Sequence, residues 1–284
     1  MKKRSRFLAL AALAVFVLSG TTRADHLTIR DVQYTTDPSG DSPYDGQIHD
    51  VTGGIVTQIW FGGKPRIYVQ DPAFAQWGGI IVKDWHSGEL AGAVNLGDWV
   101  SFSNITIEES RGTTHLQYNR DWSPDIAFSI VSTGHPLPEP IQLNAAHLPV
   151  PPNHSLSEPY ESMLVTLRNV LIGQKGLGKA GDNYELRQGV FTAWGADYQN
   201  MDAGGPYDPR IETGATLASL TGLVEQYTNL PDGWDYYQIV TRSADDIVAA
   251  DGIPTVSEWG VVVLALMLLA TAKVTFARRR WAQA

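Results

Sequence analysis

No cysteine occurs in the 284-residue chain, which excludes a disulfide framework, a zinc-thiolate site and a thiol nucleophile. Positive charge is scarce where it would matter most. Five of the 21 basic residues fall before Asp25 and four after Gly252, whereas only Glu258 of the 30 acidic residues lies outside the body Asp25–Gly252. The body therefore holds 12 basic against 29 acidic groups, a charge of −17 over 228 residues. Such a body repels polyanions at long range and disfavours a general nucleic-acid-coating role; solubility is the plainest use of its charge. Long amphipathic helices are also missing. The seven histidines, at 26, 49, 86, 115, 135, 147 and 154, show no metal-ligand spacing. Stability must come from packed cores, and 228 residues suffice for one large domain or two small ones.

Each end reads as a targeting segment. Lys2, Lys3, Arg4 and Arg6 precede the apolar run Phe7 to Leu18, and Thr22-Arg23-Ala24 places small residues at −3 and −1. This predicts a signal peptide over 1–24, exported by a Sec-type machinery and cut after Ala24 by signal peptidase. At the other end Ile253-Pro254-Thr255-Val256 leads to Trp259-Gly260, an apolar run and Arg278-Arg279-Arg280. The run is long enough for one transmembrane helix. Cytoplasmic arginines would place the body outside the inner membrane, with an ordinary single-pass anchor as the competing reading to a processed tail.

Those residues resemble the IPTL-type carboxy-terminal sorting signal of Gram-negative bacteria, which covers 253–280 here. Ile253, Pro254, Thr255, Trp259 and Gly260 match the pattern, and Val256 stands where leucine is usual. The resemblance implies recognition by an exosortase-type transpeptidase and a final location at the cell surface, in the outer membrane or in the extracellular matrix.

Between the two ends, short β-rich runs alternate with Gly, Pro, Asn and Asp. Val51–Trp60, Arg66–Gln70, Gly79–Lys83, Trp99–Ile107 and His115–Tyr118 predict five strands, the number of a small closed barrel. A proline-rich stretch over 134–157 predicts a connector. Strands resume at Met163–Ile172, Tyr184–Arg187, Leu217–Tyr227 and Tyr236–Thr241. Pro43-Tyr44 and Pro159-Tyr160 each precede the first strand of their half, a spacing of 116 that hints at duplication. The expectation is an all-β body of two tandem OB-like barrels, over 25–133 and 158–250.

Several phrases resemble the non-catalytic β-barrel region beside the phosphoesterase domain of large extracellular bacterial nucleases. They include Ser42-Pro43-Tyr44-Asp45-Gly46-Gln47, Tyr68-Val69-Gln70-Asp71-Pro72, Leu96-Gly97-Asp98-Trp99-Val100 and Glu158-Pro159-Tyr160-Glu161-Ser162. The resemblance implies an OB-fold-like module, and the catalytic domain of those nucleases has no counterpart in this length.

Candidate binding residues follow from the chemistry of such barrels, which stack ligands on aromatics across strands 2 and 3. Trp60, Tyr68, Trp77 and Trp85 are the candidate ligand platform, with core packing as the competing role. Arg168, Lys175, Lys179 and Arg187 form the only local basic cluster and are candidate phosphate contacts. Asp197, Asp202, Asp208 and Glu212 lie near Asn200 in a Gly-rich loop that could hold Ca2+, though no EF-hand spacing is present. No metal or other cofactor is expected beyond that, and no catalytic constellation is legible. Trp85-His86-Ser87 lacks an elbow pattern, and adjacent strand residues face opposite ways. The expected function is non-enzymatic: a secreted surface protein whose modules bind an extracellular polymer or surface protein. The alternatives are a nucleic-acid-binding module or an accessory subunit of a separately encoded nuclease.

Overall fold

The computed structural model describes residues 26–199 and 207–250. The expected signal peptide, the sorting residues Ile253 to Arg280, the expected membrane helix and Asp202 of the acidic loop lie outside the described residues. Among the described residues no helix is long and apolar enough to cross a membrane.

The first module runs β1 (His26–Leu27), α1 (Ile29–Gln33), β2 (Ile48–Trp60), β3 (Arg66–Gln70), β4 (Gly79–Asp84), α2 (Glu89–Ala93), β5 (Trp99–Ser110), β6 (Thr113–Tyr118) and β7 (Ala127–Ser132). Its sheet order is β1-β2-β3-β4-β6-β5-β7, and an additional β2–β5 pairing closes five strands into a barrel. All barrel pairs are antiparallel except β4 with β6. This is the OB arrangement. Alternation explains it: Ile67 and Val69 of β3 and Ile80 and Val82 of β4 point into the core, joined there by Val56, Leu116 and the α1 residues Ile29 and Val32.

Closure depends on β2, whose 13 residues curve around the barrel. Gly53 has φ +62, and a Cβ there would sit 1.9 Å from the Val100 carbonyl oxygen; one on Gly54 would sit 2.6 Å from that of Gln70. Two neighbouring strands approach this bend from either side, so only glycine fits.

The second module repeats the plan with β8 (Ile141–Leu143), α3 (His154–Ser157), β9 (Leu164–Leu177), β10 (Asn183–Gln188), β11 (Phe191–Ala196), β12 (Thr216–Asn229), β13 (Trp234–Val240) and β14 (Ile247–Ala249). Its order, β14-β12-β13-β11-β10-β9-β8 with a β12–β9 closure, is the first sheet's order strand for strand. The strand β9 begins 116 residues after β2, the spacing of the Pro-Tyr pairs. One expectation needs correcting. Ile141–Leu143 pairs parallel with β9 and so belongs to the second sheet rather than to a connector. By the same strand order β9 is the counterpart of β2, and β12 is that of β5.

The barrels are packed against each other. Tyr68 and Ile81 of the first form one buried apolar cluster with Leu164 and Leu223 of the second. Around it Leu164 N–H donates to Gln70 Oε1 at 2.9 Å, Thr113 Oγ1 to the Gln226 carbonyl at 2.9 Å, and Thr228 N–H to the Arg111 carbonyl at 2.7 Å.

Carboxyl groups are buried at the same junction. Glu158 and Glu161 are almost wholly inaccessible, with one oxygen each lacking a partner. Burial pushes Glu158 up to about 8. Glu161 is raised well above the usual range by burial and then by Glu158 and Glu109. Burial lifts Glu109 to about 7. A carboxyl in such surroundings is favoured as the neutral acid.

Candidate functional site between the barrels

Side chains alternate along β3 and β4, so those not facing the first core emerge on one outer face: Arg66 and Tyr68, Ile81 and Lys83. In an OB barrel this is the ligand-binding face. Here it turns toward the second barrel. Its apolar part is consumed in the junction, while its two cations edge a cleft of 310 Å3 that both modules line.

Four cations reach this cleft: Arg66, Lys83 and Arg111 from the first module and Lys179 from the second. Two carboxyl groups, Asp182 and Glu225, lie among them. Arg66 is 3.6 Å from Glu225 and 4.2 Å from the centre of the Trp60 ring. Lys83 is held down to about 8 by burial and then by the charge of Arg66, against the opposing pull of Glu108, Glu161 and Glu225. Asp182 is raised, by burial and then by Glu225. The Tyr227 ring has Lys179 at 5.2 Å and Arg111 at 5.8 Å. Its hydroxyl is lowered from the ordinary tyrosine value, first by hydrogen bonding to Lys179 and also by the charges of Lys179 and Arg111. Burial is the main cause of the Lys83 shift, with the charge of Arg66 adding to it, while the Tyr227 shift reflects the Lys179 and Arg111 side chains beside its ring.

Aromatic rings extend one side of the cleft across the second barrel. Tyr227 pairs with Tyr236 in register, with ring centres 5.7 Å apart, and Trp194 and Trp234 lie 4.7 and 6.4 Å from Tyr236. Tyr236 is itself buried among these rings, so the aromatic surface beside the cations is the Tyr227 ring, and a ring flanked by cations suits a chain that carries both charge and planar units.

The platform residues named from sequence do not come together. Tyr68 is completely buried, with its hydroxyl donating to Glu225, so it presents no stacking face. Trp60 is held between Arg66 and Tyr198 beside the cleft. Trp85 forms a separate surface group with Trp122, at 6.2 Å, and Lys64, 3.3 Å from the ring centre. Trp77 stands elsewhere, edge-on to Tyr34 at 5.5 Å.

The candidate phosphate contacts also disperse. Lys175 is bound to Glu212 at 3.0 Å and Arg187 to Glu185, while Arg168 lies exposed on β9. Only Lys179 enters the cleft. In the acidic loop, Asp208 pairs with Arg210 at 2.6 Å and Asp197 accepts from Thr241 at 2.5 Å. Among the described residues no three His, Asp or Glu side chains assemble as metal ligands. Arg66 and Lys83 face each other across β3 and β4 and Arg111 sits in the β5–β6 turn of the same barrel, whereas Lys179 joins them only when the second barrel docks. The available signal was strand alternation, which puts Arg66 and Lys83 on the outer face.

The fold defines a body of tandem OB-like barrels. A family model described as the IPTL-CTERM motif matches residues 252–280, the motif of an exported, cell-surface protein. No curated protein matches the chain. Among solved structures, the OB domain of MM0293 from Methanosarcina mazei is 18% identical over 32% of this chain and 79% of its own, with a TM-score of 0.26. Schizosaccharomyces pombe Pot1pC bound to single-stranded DNA is 16% identical over 32% of this chain and 84% of its own, with a TM-score of 0.26. A murine DNA-binding protein bound with double-stranded DNA is 12% identical over 73% of this chain and 98% of its own, with a TM-score of 0.34.

Proposed function

We propose that this exported surface protein is a non-enzymatic binder whose two barrels together grip an anionic extracellular polymer in the cleft between them. The supporting observation is the convergence of Arg66, Lys83, Arg111 and Lys179, drawn from both modules, in a body whose overall charge is −17. Fixed cations with the Tyr227 ring alongside favour a single-stranded nucleic acid, whose phosphates and bases would use both. The acidic remainder would repel a polymer lying anywhere else, confining binding to the cleft. In this reading the IPTL-type tail delivers the protein to an exosortase-type transpeptidase after signal peptidase has acted. A partnership with a separately encoded nuclease is a further role, tested by co-purification from the native envelope.

The direct test is fluorescence anisotropy of a labelled oligothymidylate and of a DNA duplex titrated with the purified protein at rising salt. Binding to the single strand that weakens with salt supports the reading. Absence of binding to both at low salt overturns it, and metal-dependent hydrolysis of either probe overturns its non-enzymatic part.

A further inference from the structure

A second concavity, of 680 Å3, opens at the junction between residues 35–40 of the first module and residues 152–158 before β9. That volume falls within the range of about 300–1,000 Å3 typical of small-molecule sites. It is separate from the cationic cleft and shares no lining residue with it.

One wall is the Trp77 ring. Its place is fixed from both modules: the backbone N–H of Trp77 donates to the Pro159 carbonyl at 2.6 Å, and Tyr34 packs edge-on against the indole at 5.5 Å. The residue sits at φ +64, a conformation uncommon for a bulky side chain. Glu158, only 2% exposed, also borders the cavity. Its Oε2 accepts from the Tyr237 hydroxyl at 2.5 Å, while Oε1 is buried and has no partner. Gly40 makes room for that carboxyl, since a Cβ there would come within 2.7 Å of Oε2.

The remaining lining narrows the ligand class. No lysine or arginine borders the cavity, so nothing there would offset an anionic group. Metal binding has no ligand set, since no three acidic or histidine side chains converge among the described residues. Asp37 is turned inward on its own loop, accepting from Ser39 N–H at 2.9 Å and Oγ at 2.7 Å. His154 is engaged by Tyr237 at 2.8 Å and Asp235 at 3.3 Å. What remains is an aromatic face, an unpartnered carboxyl oxygen, the Asn153 amide nitrogen and the Thr36 hydroxyl, beside the Ser155 hydroxyl, which donates to Asn153 Oδ1 at 2.8 Å, and that of Thr35, which accepts from Asp37 N–H at 2.9 Å. Those groups complement an uncharged molecule with an apolar face and a rim of hydroxyl groups, as a pyranose ring has.

We propose that this cavity binds an uncharged sugar residue, which stacks on Trp77 and hydrogen-bonds through its hydroxyl groups to Glu158 and Asn153. The proposal stands independently of the anionic-polymer reading, because ligand class and lining residues both differ. A surface protein with this site would engage the neutral saccharide part of an extracellular matrix.

The test probes the fluorescently labelled protein against an array of neutral oligosaccharides, including gluco-, galacto-, manno- and N-acetylglucosamine series, followed by calorimetry on any hit. Binding to at least one neutral series is expected, weakened about tenfold or more by Trp77→Ala. Because alanine at this backbone conformation can disturb the fold, Asn153→Ala is the second variant, with an expected loss of about fivefold at an unchanged melting temperature. Arg111→Ala should leave saccharide binding intact. No binding across the array, equal binding by both variants and the parent, or preference for a phosphorylated or sulfated sugar over its neutral parent would each overturn the proposal.

Discussion

Tyr68 of the first barrel donates its hydroxyl proton to Glu225 of the second, across 157 positions of sequence. Tyr198 donates to the other oxygen of the same carboxylate at 2.5 Å, and Arg66 stands 3.6 Å away. One acidic side chain thus fastens the barrels together and sets the position of a cleft cation.

Removing that donor should loosen the junction. Tyr68→Phe keeps the ring in its apolar cluster but deprives the buried Glu225 of a hydrogen bond, at a cost of about 1–3 kcal/mol. At roughly 2–4 °C per kcal/mol for a body of this size, calorimetry should show a clear fall in Tm. An unchanged Tm would mean that the pair does not hold the modules together.

Stability should fall as pH rises from 6.5 to 8. In the unfolded chain Glu109 and Glu158 are ionised throughout that window, whereas in the folded protein they hold their protons up to about 7 and about 8 respectively. The folded state binds more protons, so raising pH favours unfolding. The slope for Glu158 alone approaches 1.4 kcal/mol per pH unit. The shifts of neighbouring bases lie elsewhere: His115 is held down to about 3 by burial and then Lys83, which favours the folded state as pH rises from 3 to 6.5. Lys83, held down to about 8 by burial and Arg66, acts between 8 and 10.5. Glu158→Gln should flatten the 6.5–8 segment in thermal melts taken across pH; an equally steep segment in the variant would refute the assignment.

Barrel closure should fail when the bend of β2 is filled. Gly53→Ala would place a methyl group 1.9 Å from the Val100 carbonyl oxygen at a backbone conformation of φ +62. We expect loss of cooperative unfolding in circular dichroism, whereas Gly46→Ala, with open space around its φ +75 position, should cost no more than about 1–2 kcal/mol.

Much of each barrel was legible along the chain. Strands β2 to β6, β9, β10, β12 and β13 announce themselves through alternating β-branched and aromatic residues, and the 116-residue spacing of the Pro-Tyr pairs matches the offset of β9 from β2. Shorter pieces escaped: β1 and β8 span two and three residues and exist only through parallel pairing with a longer strand. The edge strand β7 and the second barrel's β11 carry little patterning of their own. The candidate site failed for one physical reason, the docking of one outer face on another barrel. Alternation correctly turned Tyr68 outward from its own core, but Leu164 and Leu223 then bury it, and the same docking brings Lys179 to Arg111.

Salt dependence of oligothymidylate binding, compared between the parent and the Arg111→Ala/Lys179→Ala double variant, tests the cationic cleft most directly. Among the described residues both side chains lie over the Tyr227 ring and neither forms a salt bridge, so folding should survive. For single strands log K falls by about 0.7 per neutralised phosphate against log salt. The variant should bind more weakly, with a slope shallower by about 1.4. Equal affinity and slope in the two proteins would contradict it.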